Sequence, residues 1–106
     1  MFMPYNNAKS VAASPGVQRK VLAYDEDMMV VEFTFDADVK LPLHTHPHKQ
    51  ASYVLQGKLE FTLGEEKFIM CKGDTLTIPP DIPHGAEPLE PSVVIDVFSP
   101  MRKEFV

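Results

Sequence analysis

Three histidines occupy alternate positions in His44-Thr-His46-Pro-His48, and a glutamine follows at Gln50. A fourth, His84, sits in the proline-rich stretch Ile78-Pro-Pro-Asp-Ile-Pro-His84-Gly85. The chain has no other histidine. Neutral imidazole is the commonest protein ligand for a transition metal, so crowding every histidine into two short segments predicts a metal site. In a strand, residues i and i+2 point to the same face. His44 and His46 therefore direct two imidazoles into one space. Gln50 has the same parity and joins them if the chain bends gently past Pro47. His84 must come from elsewhere in the fold, on a loop stiffened by Pro79, Pro80 and Pro83. Three imidazoles and one amide oxygen form an uncharged ligand set with positions left for water or substrate. Taken singly, the signals are weak: His-x-His occurs in ordinary strands, and a lone His84 would be a hydrogen-bonded loop residue. His48, beside Pro47, reads as a surface residue or as one that supports the ligands from behind.

A second constellation lies near the C-terminus. Val93-Val94-Ile95-Asp96-Val97-Phe98 is strongly β-prone, with a carboxylate in its middle. Val94, Asp96 and Phe98 share a face by parity. Aspartate is disfavoured in strands and costly to bury unpaired, and local rules tend to fail at functional sites. The plainer reading puts Asp96 on an exposed face, or pairs it with Arg102 to close the domain. The scattered methionines and Cys71 read as packing residues, and Asp25 to Asp27 as a solvated turn.

The elements that must position these groups are short and β-like. Residues 1–16 carry little periodicity, end in Ser14-Pro15-Gly16, and read as an N-terminal arm that lies along the domain or a partner. The domain proper is expected over residues 17–106. Strand-like runs span 17–24, 28–35, 40–45, 52–55, 58–63, 67–71, 75–78 and 92–99, separated by turns such as Gly64-Glu65-Glu66 and Lys72-Gly73-Asp74. Many short strands with frequent turns predict an all-β sandwich or barrel. The ten prolines fall mostly at strand ends and in loops. The pattern holds no convincing helix and no internal repeat.

Composition narrows the partners. At 106 residues a single domain is expected. The net charge of -5 argues against nucleic acid, because no basic stretch can neutralise phosphates. No segment approaches the roughly 18 apolar residues that cross a membrane. The N-terminus lacks the basic start and apolar run of a signal peptide, and the single Cys71 permits no internal disulfide. These features together lead to the expectation of a cytoplasmic protein.

The spacing of the glycines around the histidines resembles the cupin superfamily. Its first signature runs His-x-His, three or four residues, Glu, six residues, Gly; here it reads His44-x-His46-x-x-x-Gln50, six residues, Gly57. Its second runs Gly, five residues, Pro-x-Gly, two residues, His; here it reads Gly73, five residues, Pro79-x-Asp81, two residues, His84. Gln50 thus stands where a glutamate is usual, and Asp81 where a glycine is. The glutamine removes a negative charge from the metal and a carboxylate from its ligands, which weakens the case for redox dioxygenation.

From about Val17 onward the chain resembles the small single-domain KdgF cupins of pectin degradation. His44 to Gly57 carries that likeness, as does Asp96-Val-Phe98-Ser-Pro100-Met-Arg102-Lys-Glu-Phe105. The resemblance implies a jelly-roll barrel, also called a double-stranded β-helix. It implies one divalent transition metal on His44, His46, Gln50 and His84, with nickel, zinc, iron, cobalt and manganese all compatible. It also implies opening of 4,5-unsaturated uronate monosaccharides to the linear keto form, with working roles for Asp96, Phe98 and Arg102. Asp96 would move the proton, Arg102 would pair with the substrate carboxylate, and Phe98 would wall the pocket. Tyr53 is a candidate hydroxyl contact, although its parity opposes that of Gln50. A homodimer is expected, as small cupins commonly pair through their sheets. The rival readings are a metal-dependent cupin oxygenase and a non-catalytic cupin that binds a sugar or another small molecule.

Overall fold

Along Ser92–Ser99 and Lys49–Gln56 the alternation in the sequence becomes alternation in space: every second residue is buried through most of each strand. The computed structural model describes residues 1–106 and carries ten strands. They are β1 (Ser10–Ser14), β2 (Val17–Tyr24), β3 (Met29–Phe35), β4 (Leu41–His44) and β5 (Lys49–Gln56). Then follow β6 (Lys58–Leu63), β7 (Glu66–Cys71), β8 (Thr75–Ile78), β9 (His84–Pro88) and β10 (Ser92–Ser99). Short 3₁₀ turns at Tyr5–Asn7 and Lys103–Phe105 are the only helical pieces.

The strands form two antiparallel sheets, one in the order β1-β2-β3-β10-β5-β8 and the other β4-β9-β6-β7. Their inner faces enclose the core. Val17, Phe35, Val54, Leu59, Phe61, Met70, Ala86 and Val94 form the larger apolar cluster. Met29, Val31 and Phe98 form a second one, packed with Val21, Tyr24, Met101 and Phe105. Each such side chain contributes about 1.5–3 kcal/mol when fully buried, so the strand faces are firmly specified.

Two registers set up the site. In the larger sheet, Phe98 lies opposite Gln50 and Asp96 opposite Ser52. In the smaller sheet, His44 lies opposite His84. The larger sheet therefore brings Gln50, Ser52 and Asp96, and the smaller sheet His44 and His84, to the same end of the barrel.

The sequence reading missed two strands. β9 contains Gly85 and ends at Pro88, which read as loop. Gly85 is needed there, because a Cβ would lie 2.8 Å from the Leu41 carbonyl oxygen of β4. β1 is exposed throughout, so no apolar period marks it. It pairs with β2, and Tyr5 donates its hydroxyl to Glu32 of β3, so the first residues lie along the larger sheet. The division at residue 16 falls within the β1–β2 hairpin turn.

Two signature positions, one matching and one departing, acquire a physical reading. Gly57 has φ +97°, and a Cβ there would collide with Ser92 Oγ, so the β5–β6 turn admits only glycine. Asp81 has φ 64°, the left-handed region that aspartate tolerates better than most residues. Its amide donates to the His46 carbonyl oxygen at 2.9 Å. The aspartate thus adopts the kind of turn that a glycine favours, and ties the His84 loop to the β4–β5 connection that carries His46.

Candidate metal centre

His44, His46 and His84 converge, with one potential ligand atom from each lying within 4.8 Å of the others. His44 ends β4, His84 begins β9 beside it, and His46 lies in the connection to β5. His46 and His84 are buried while His44 is exposed on one side. The ring centroids of His44 and His84 are 4.3 Å apart, and those of His46 and His84 4.7 Å.

A backbone carbonyl orients each ring. His44 Nδ1 meets the Pro42 oxygen at 3.0 Å, His46 Nδ1 the His48 oxygen at 3.1 Å, and His84 Nδ1 the Ile82 oxygen at 2.8 Å. A carbonyl only accepts, so each Nδ1 carries the hydrogen and each neutral ring presents a bare Nε2 lone pair. Hydrogen bonds of this kind fix tautomer and ring angle in metal sites. Burial pushes the pKa values of His46 and His84 below the usual histidine range, assisted by the positive charge of Arg102, so the rings stay neutral.

Two observations then fit a cation. His84 Nε2 is buried with no hydrogen-bond partner. His46 Nε2 faces Gln50 Oε1 at 2.9 Å. With Nδ1 donating to the backbone, that pair is two acceptors face to face, which is unfavourable unless something positive joins them. Two ligand atoms about 2.1 Å from one metal and at right angles are about 3 Å apart, close to the separation seen. The donor set of three imidazoles and an amide oxygen thus suits a divalent transition metal.

Gln50 is itself held in place. Its Nε2 donates to Ser52 Oγ at 3.1 Å, and Ser52 Oγ donates to Asp96 Oδ1 at 2.6 Å. The relay turns the amide oxygen toward the histidines and links them to the carboxylate. Asp96 is buried and makes no ion pair within salt-bridge distance. Desolvation pushes its pKa up to about 6, against the opposing pull of the Ser52 hydroxyl, the Gln50 amide and Arg102. The sequence reading singled out Asp96 but missed Ser52, whose parity with Gln50 was the available signal.

A cavity of about 200 Å³ opens on this assembly. His44, Gln50, His84, Asp96, Phe98 and Arg102 all line it. Phe98 also packs edge-on against His46, with centroids 5.7 Å apart. Arg102 follows β10 and stacks over Phe98 and Phe105, 5.2 Å and 4.4 Å from the ring centroids. Its Nε pairs with the exposed Glu104 at 3.2 Å. The remaining guanidinium nitrogens make no hydrogen bond within the protein.

Tyr53 does not join the site. On β5 the buried positions are Gln50, Ser52 and Val54, so Tyr53 points outward and is 41% exposed. The expected hydroxyl contact is corrected by strand parity. His48 stays outside the cluster of ligands. Its carbonyl orients His46, and its ring packs near Phe98 at 6.5 Å.

Comparison with known proteins agrees with this geometry. Residues 31–98 match the model of the cupin domain family. The chain is 36% identical over 93 residues to the pectin degradation protein KdgF of Dickeya dadantii, covering 86% of this chain and 84% of that one. The structure of KdgF from a Halomonas species superposes with a TM-score of 0.95 at 38% identity, over 100% of this chain and 98% of the other. An RmlC-like cupin from Shewanella frigidimarina gives a TM-score of 0.95 at 30% identity, over 99% and 95%. With both signatures built into one histidine-lined barrel, the chain belongs to the cupin family, among its small KdgF-like members.

Proposed function

We propose that this protein is an enzyme that converts 4,5-unsaturated uronate monosaccharides into the linear 5-keto form. The observation that carries the reading is the cavity wall opposite the histidines, where a buried carboxylate, Asp96, and a guanidinium, Arg102, face the same space. The likeness to proteins named for pectin degradation supports the choice of a sugar acid.

The reaction is an isomerisation, so its atoms balance without a co-substrate. The C1 hydroxyl loses its proton, C1 becomes an aldehyde, and the bond from C1 to the ring oxygen breaks. That oxygen is left on C5 as an enolate, conjugated through the C4–C5 double bond. A proton then adds at C4, and C5 becomes a ketone. One proton leaves oxygen and one arrives at carbon, so a single carboxyl group can serve both steps.

Asp96 suits that task. With a pKa of about 6, it is largely ionised at neutral pH, yet a good enough acid to return the proton. Ser52 donates to Oδ1 and leaves Oδ2 for the sugar. Arg102 offers its free guanidinium edge to the substrate carboxylate in a two-point pair. Phe98 excludes water beside Asp96 and gives the sugar an apolar face. A divalent metal on His44, His46, Gln50 and His84 would supply a Lewis acid that polarises sugar oxygens.

The test is the absorbance of the conjugated double bond. Metal-loaded protein is mixed with unsaturated galacturonate or glucuronate, and the fall in absorbance is followed. Acceleration over the protein-free rate is expected for at least one of them. No acceleration with any of the five candidate metals sinks the reading. Oxygen uptake in place of isomerisation turns it toward an oxygenase.

A further inference from the structure

We propose that Arg19, set behind the cavity wall, acts through Phe105 as a positioning residue for Arg102 and helps make that wall selective for anionic ligands. The proposal rests on the carboxylate-bearing substrate class inferred above. Arg19 is the anomaly that prompts it. It sits on β2 with the inward parity of Val17 and Val21, both of which pack in the apolar core. It makes no salt bridge, and its Nε is buried without a hydrogen-bond partner. A buried donor left unsatisfied in this way, on a half-buried arginine, is destabilising and calls for a role.

What Arg19 does touch is an aromatic face. Its guanidinium carbon lies 4.2 Å from the centroid of Phe105, and that of Arg102 lies 4.4 Å from the same centroid. Phe105 is fixed by edge contacts to Phe33 at 6.2 Å and Phe98 at 6.0 Å, and it lines the cavity itself. One ring thus carries both cations, through attraction to its negative face. The two charges are at most about 9 Å apart, comparable with the Debye length in physiological salt. Each repels the other, and an anion drawn to Arg102 relieves both. The one carboxylate paired with this group is the exposed Glu104, which takes only Arg102 Nε.

The consequence is a division of labour. Arg102 makes the contact with ligand. Arg19 and Phe105 hold its side chain over the cavity and keep the local potential positive. Neither Arg19 nor its contact with Phe105 touches the histidines or Asp96, so the metal and proton-transfer groups are left unaltered by its loss.

The experiment is calorimetric titration of metal-loaded protein with D-galacturonate, a saturated uronate that cannot react. Arg19→Met keeps the aliphatic stem and removes the charge. It is expected to weaken binding about 5- to 10-fold at low salt, with metal content unchanged and Tm no lower than wild type. Arg19→Lys is expected to recover at least half of the loss. Added salt is expected to weaken wild-type binding more than that of Arg19→Met. Phe105→Leu is expected to weaken binding similarly, and Arg19→Met/Phe105→Leu no more than the worse single change, because the two act in series. Where turnover is measured, KM rises and kcat stays within twofold. Binding by Arg19→Met within twofold of wild type overturns the proposal, as does no recovery in Arg19→Lys or full additivity in the double variant. Absence of galacturonate binding to wild type overturns the anionic wall itself. Galacturonate binding that depends on Arg19, without turnover of unsaturated uronates, defeats only the proposed reaction.

Discussion

The two walls of the cavity are held by different means. On the histidine side every ring is oriented by a backbone carbonyl two residues away: Pro42 for His44, His48 for His46, Ile82 for His84. On the β10 side, orientation comes from other side chains: Ser52, from a different strand, for Asp96, and the rings of Phe98 and Phe105 for Arg102. A wall built on local backbone bonds tolerates substitution around it. A wall built on side-chain relays changes whenever one member does. Metal retention and chemistry should therefore separate under mutation, and each expectation below tests that separation.

The largest effect is expected from Asp96→Asn. Turnover should fall about 10²- to 10⁴-fold, the usual contribution of a positioned proton-transfer group. Metal content, measured by atomic emission, should stay near wild type. A matching loss of metal would show that the walls are one unit.

Gln50→Glu should come next, because Gln50 alone belongs to both walls. A carboxylate there strengthens metal binding and cannot donate to Ser52. It also adds negative charge near Asp96, raising its pKa further. Activity that needs ionised Asp96 rises as pH passes about 6 in the wild type. In Gln50→Glu that rise should move upward by about one pH unit or more, read from the profile of kcat/KM.

Ser52→Ala should produce a smaller change in the same direction. The hydroxyl stabilises ionised Asp96, so its loss raises the carboxyl pKa and frees the Gln50 amide. One such hydrogen bond is worth about 1 kcal/mol, or roughly 5-fold in rate. Unchanged kinetics would break the relay.

Stability against pH gives a fourth expectation, measured by urea unfolding of metal-free protein. Folded Asp96 binds its proton more tightly than the unfolded chain, with a pKa of about 6 against 3.8. Its contribution is therefore full below about pH 4 and is lost as pH rises through 6. His46 and His84 act oppositely. Their lowered pKa values add stability that is present above 6.5 and lost as pH falls. The difference between Asp96→Asn and wild type isolates the carboxylate. The variant should be more stable at pH 8 by on the order of 2–3 kcal/mol, the gap closing toward pH 4. The smallest effect is expected from Tyr53→Phe, whose outward side chain should leave KM within twofold.

The walls also differ in how much of them the sequence discloses. Histidines at alternate positions and the glycine spacing can be read along the line, because parity and turn chemistry are local. The nature of β9 cannot: Gly85 and Pro88 look like loop until the Leu41 carbonyl is seen 2.8 Å from where a Cβ would stand. Asp96 stood out because a carboxylate is out of place in a β-prone run, but its partner Ser52 is 44 residues away. Arg19 shares the parity of Val17 and Val21, but an arginine in a short strand is unremarkable until its neighbours are known. Phe105 lay inside the KdgF-like tail without a role until two cations were found on its ring.

Asp96 is anchored to one wall by a short bond from Ser52, and Phe98 two residues on closes the barrel beside it. On the proposed reaction, that fixed seat has a stereochemical consequence. A planar enol seated in the cavity shows only one of its two faces to the acid. In heavy water the enzyme would place deuterium at a single one of the two prochiral positions on C4, whereas free solution would populate both. The chirality of the product label would then be a record of which side of the barrel β10 is on.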